Sequence, residues 1–155
     1  MTESSLELIV RRYTIITVFE IDALDIAAKS IFEMYARNIC QQLEWGNGVY
    51  ATTIAEEGAK RLLKLGSKSG VMGAAALFAI CIRQQLDWGN GVYATDVASL
   101  AAETILSRNL VDGVPVVQKL FDICIKQQLA WGNGVYAKQI TDQYADIVLK
   151  YSVKR

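Results

Sequence analysis

The stretch QQLEWGNGVYA, from Gln41 to Ala51, decides how this chain is read. It returns as QQLDWGNGVYA from Gln84 to Ala94 and as QQLAWGNGVYA from Gln127 to Ala137, each copy 43 residues after the last. Ten of its eleven positions are identical in all copies, and only Glu44, Asp87 and Ala130 differ. A fixed period of this size marks a repeat architecture.

The flanks match more loosely at the same offset. Before the block stand Ile31/Ala74/Val117, Met34/Leu77/Leu120, Tyr35/Phe78/Phe121 and Ile39/Ile82/Ile125. After it stand Ile54/Val97/Ile140, Ala59/Ala102/Ala145, Leu62/Ile105/Val148 and Leu63/Leu106/Leu149. Steps of three and four residues are helical, and no two-residue alternation competes with them. Each unit therefore reads as a helix, a tight turn and a second helix. The alanine triplet reads as a place where a neighbouring helix comes close, so that a leucine there would overpack the core.

The turn has its own chemistry. Gly46, Gly89 and Gly132 follow a helix that ends in tryptophan, where glycine can take the left-handed conformation that closes a helix. Asn47, Asn90 and Asn133 come next, and each is expected to cap the following helix by accepting a backbone N–H bond. The tryptophans are expected to pack at the helix corner, with Tyr50, Tyr93 and Tyr136 beside them. Adjacent glutamines cannot share one helix face. One of each pair is expected to bond an exposed turn carbonyl while the other faces solvent or the next unit, so that the pair staples neighbouring repeats.

The expected organisation is a single domain over residues 1–155. Residues 1–22 form an N-terminal cap segment. Repeats follow at 23–66, 67–109 and 110–151, and 152–155 is a tail. Leu6 to Phe19 reads as a strand or a capping helix, and a helix covering the open face of the first repeat is preferred, since terminal repeats need a cap. Gly66 to Gly70 reads as a flexible link and Asn109 to Pro115 as the second connector, with Pro115 in the first turn of a helix. The fold class is all-α: three helical hairpins in a solenoid-like stack or a compact pseudo-threefold bundle. The unit length resembles that of HEAT- and armadillo-type repeats, with no further match to a family consensus.

Composition narrows the function. Sixteen basic residues balance sixteen acidic ones, and histidine is absent. Zero net charge gives no long-range pull toward nucleic acid or an anionic membrane. Without histidine the commonest general base and metal ligand are missing. No acidic cluster has metal spacing; Asp22, Asp25 and the pair Glu56–Glu57 read as helix-start residues. The longest uncharged run, Ser69 to Ile82, is too short to span a bilayer. Cys40, Cys81 and Cys124 show no CxxC spacing, and reduced thiols point to a cytoplasmic protein. Cys81 and Cys124 fall on apolar helix faces and read as small buried hydrophobes, while Cys40 reads as more exposed.

Within the chain, the flanks have drifted to similar apolar residues while the block has stayed nearly constant. Ordinary packing tolerates such swaps and does not by itself demand paired glutamines. The leading expectation is a non-catalytic module that binds a protein partner, or itself as a homo-oligomer, with no cofactor, metal, nucleic acid or membrane insertion. Its contact elements would be Gln41, Gln42, Trp45, Asn47 and Tyr50 in the first corner. Gln84, Gln85, Trp88, Asn90 and Tyr93 follow in the second, and Gln127, Gln128, Trp131, Asn133 and Tyr136 in the third. Aromatic and amide side chains suit recognition, and equal patches suit a multivalent partner. The alternative is a small-ligand binder with Trp/Tyr-framed pockets. The segments Trp45–Asn47, Trp88–Asn90 and Trp131–Asn133 also resemble core peptides of ribosomal natural-product precursors. That resemblance implies a substrate of a peptide-modifying enzyme. Each segment here lies between amphipathic stretches and not in a flexible tail, which favours the binding readings.

Overall fold

The computed structural model describes residues 19–153. Among them the chain is all-helical, with six α-helices, one short 3-10 turn (Ile21–Ala23) and no strand. The helices are α1 (Ile26–Glu44), α2 (Gly48–Leu63), α3 (Lys68–Asp87), α4 (Gly91–Leu106), α5 (Leu110–Ala130) and α6 (Gly134–Val153). The last helix runs two residues into the expected tail.

Each helix packs on the next in sequence. α1 also lies against α3, and α3 against α5, while α2 meets α4 and α4 meets α6 more sparsely. Odd and even helices thus make two layers around one apolar core. α3 sits at the centre, and every residue from Ala74 to Ile82 is buried. This helix is long and apolar enough to cross a membrane, because the uncharged run continues into helix on both sides. Yet 78 % of its most apolar window is buried inside the molecule. Neighbours on all sides account for that composition.

The connectors are shorter than the sequence suggests. Ser67 caps α3, its Oγ accepting from the Gly70 N–H at 3.0 Å, so Lys68 to Gly70 are already helix. Asn109 caps α5 in the same way through Asp112 N–H at 3.1 Å. Pro115 therefore stands inside α5, past the first turn where it was expected. Gly70 and Gly113 serve close approach and not flexibility. A Cβ at 70 would collide with the Leu62 carbonyl, and one at 113 would lie 2.9 Å from Ile105 Cγ2.

Asp25 caps α1 by accepting from the Ala28 N–H at 2.9 Å, as its helix-start reading requires. The expected capping helix from Leu6 to Phe19 lies outside the described residues except for Phe19, which is not helical. Phe19, Ile21 and Leu24 are buried. The Lys119 ammonium of α5 lies 5.6 Å from the Phe19 ring centroid. The 3-10 turn packs on α3. The chain thus reaches α1 across α5 and α3.

Candidate functional site

The eleven-residue block falls at the three joints α1–α2, α3–α4 and α5–α6, and its constant residues divide into three sets with different physical jobs.

The first set bends the chain. Gly46, Gly89 and Gly132 hold φ of 78°, 80° and 78°, the left-handed region glycine enters freely. The Gly46 N–H donates to the Leu43 carbonyl at 3.0 Å and the Asn47 N–H to the Gln42 carbonyl at 2.8 Å. Asn90 to Gln85 and Asn133 to Gln128 repeat the second bond, also at 2.8 Å. This is the Schellman closure of a helix. The asparagine side chains depart from the capping role expected of them. Asn47 Nδ2 donates to Gln42 Oε1 and Asn90 Nδ2 to Gln85 Oε1, each at 3.1 Å. Backbone and side chain of one Gln thus clip backbone and side chain of one Asn. Neither asparagine caps its helix through the side chain, because the amide is turned toward the glutamine. Asn133 does accept from the Tyr136 N–H, at 3.4 Å.

The second set closes the gaps between successive joints. Gln85 and Gln128 are 3 % and 4 % exposed, which is deep burial for an amide. A Cβ at Gly48 would collide with the Gln85 amide and lie 3.2 Å from Trp88 Cζ3. A Cβ at Gly91 would meet Gln128 and Trp131 in the same way. Glycine opens helices α2 and α4 so that the next glutamine and tryptophan edge can lie against bare backbone. The glutamines that lie against the preceding joint, Gln85 and Gln128, are therefore the second of their pairs. Gln41 is exposed, and Gln84 and Gln127 are partly exposed.

The third set faces solvent. Trp45, Trp88 and Trp131 are 69 %, 42 % and 47 % exposed, so they do not fill the corner as expected. Each stands just past the end of its helix, where the reversing chain swings the ring outward. Val49, Val92 and Val135 are also strongly exposed, and so is Tyr50. Tyr93 and Tyr136 are half-buried against the core. The valines escaped the sequence reading, although their identity in all three copies was a signal available there. A groove of about 410 Å³ between the first two joints is lined by Leu43, Glu44, Gly46, Gln84 and Trp88.

Behind the joints lie the two buried thiols. Desolvation pushes Cys81 and Cys124 up to about 12, partly offset by hydrogen bonds with Thr52 and Thr95 respectively. Such thiols stay protonated and are poor nucleophiles at neutral pH. Among the described residues no group of three or more Cys, Asp or Glu side chains is placed to hold a metal ion. Comparisons of the chain with protein-family models, with curated proteins and with solved structures found no match.

Proposed function

We propose that this chain is a tandem array of three helical hairpins that acts as a non-catalytic protein-binding or self-assembly module. The observation that carries this reading is the exposed Trp/Val pair at each of the three joints. The buried glutamine and glycine contacts set successive joints side by side, so the pairs make a row. Large apolar side chains that recur at one register and face water are the usual composition of a contact surface. Core packing does not account for three exposed valines, since an exposed position tolerates polar residues. The odd and even helix layers, with α1 remote from α6, favour an open stack over closure.

The test separates binding from folding. Val49→Ser, Val92→Ser and Val135→Ser together should change thermal stability little, because surface substitutions stay within about 0.5 kcal/mol each. They should weaken association, read by sedimentation of the purified chain or of its complex, by about tenfold or more. Trp88→Ala should do the same with a larger stability cost, since one ring edge lies on Gly48. If stability collapses while association stays unchanged, the joints are structural and the reading fails.

A further inference from the structure

The two internal junctions of the array are built alike, and each end of the molecule carries one half of such a junction. In the junction between α2 and α3, Gly48 receives Gln85 and Trp88. Between α4 and α5, Gly91 receives Gln128 and Trp131. The equivalent Gly134 on α6 has no atom within 4 Å of where a Cβ would stand. Among the described residues no contact requires a glycine there. Leu149 is 58 % exposed, whereas its counterparts Leu63 and Leu106 are buried. Ala145 is exposed too, while Ala59 and Ala102 are fully buried.

The complementary half lies on α1. Gln42 is only partly covered, where Gln85 and Gln128 are buried. Met34 is 54 % exposed at the register where Leu77 and Leu120 are fully buried. We propose that the α6 face of one copy receives the α1 face of a second copy, head to tail, in the geometry of the internal junctions. This rests on the hairpin-array reading and makes the self-assembly specific.

A paired difference between the ends supports this occupant over another protein. Inside the chain, Thr52 bonds Cys81 and Thr95 bonds Cys124. At the ends, the threonine register holds Lys138 and the cysteine register holds Asn38. Both members of the pair are polar, and a lysine donor can meet an amide oxygen acceptor. Such a heterologous contact propagates into rings or open filaments.

The decisive variant is Gly134→Leu. It meets open space among the described residues and should leave thermal stability unchanged or raised. In the stacked pair its side chain would occupy the place of Gln42 and Trp45. Sedimentation of the full chain from about 1 to 100 µM, the range of a modest protein interface, should show mass rising with concentration. Gly134→Leu should weaken that association more than about tenfold. Asn38→Asp should tighten it at low salt, and should not do so in a Lys138→Ala background. A wild-type chain that stays monomeric throughout overturns the stacking. So does self-association that Gly134→Leu leaves intact. In that second case, loss of association in the triple valine variant would keep the exposed row as the contact while removing the end-to-end geometry.

Discussion

Glycine does two different things at the joints of this chain, and the residue scale is where they separate. Gly46, Gly89 and Gly132 supply a positive φ. Gly48 and Gly91 supply an absence of side chain. Gly134 shares the sequence context of those two and meets neither requirement among the described residues. Gly48→Ala or Gly91→Ala should therefore cost about 1–3 kcal/mol in urea unfolding through overpacking. Gly134→Ala should be neutral, or stabilise by about 0.4–1 kcal/mol by limiting the unfolded chain. Equal losses at all three positions would show that the glycines answer to backbone conformation instead. The cysteines make a second residue-scale case. Burial lifts Cys81 and Cys124 from 9.0 to about 12. The folded state then keeps protons that the unfolded state releases above pH 9.0. Stability from these thiols is whole below pH 9.0 and falls as pH rises toward about 12, by about 1.4 kcal/mol per thiol per pH unit. Urea midpoints measured between about pH 8 and 11 should fall more steeply in the wild type than in Cys81→Ala/Cys124→Ala. In the native state at neutral pH, Cys40 should react first with a thiol reagent, since it is half-buried while the others are buried.

At the scale of the element, the same helix plays different parts according to its neighbours. α2 and α4 each lie between helices of the odd layer and bury nine and ten residues. α6 buries only Ala137 and Ile140. It is tied to α4 by Lys150, whose ammonium donates to Glu103 Oε2 at 3.0 Å, and by the Tyr151 hydroxyl on the same carboxylate. The alanine triplet shows the consequence. Ala59→Leu and Ala102→Leu should each cost about 1–3 kcal/mol, whereas Ala145→Leu should cost under about 0.5 kcal/mol. Chemical denaturation of the three variants checks this. Similar losses in all three would mean that α6 is covered in the isolated chain.

For the whole molecule, burial grades from a central helix to an open end, and stability should follow it. Hydrogen exchange should be slowest in α3, where the core is continuous, and fastest in α6, which opens with least loss of apolar burial. In a stacked assembly α6 gains a neighbour, so its protection should rise with protein concentration while that of α3 stays constant. Uniform exchange across α3 and α6 would instead mark one cooperative unit without a weak end.

Spacing alone determined the helical class of this chain, the place of its joints and the glycine that turns each of them. Those features are local: steps of three and four residues and a left-handed residue after a helix depend on near neighbours in sequence. Burial of Cys81 and Cys124 was legible for the same reason, since each lies on an apolar helix face. Tertiary structure decided the rest. It turned Asn47 and Asn90 away from capping and toward glutamine, buried Gln85 and Gln128, and left the tryptophans and valines in water. It also made helix starts of segments that read as connectors, since Gly70 and Gly113 answer to a neighbouring helix. Identical letters at 48, 91 and 134 acquire different meanings only when the next unit is present or missing. Which atoms lie across a junction depends on the packing of distant segments, and no local pattern encodes that.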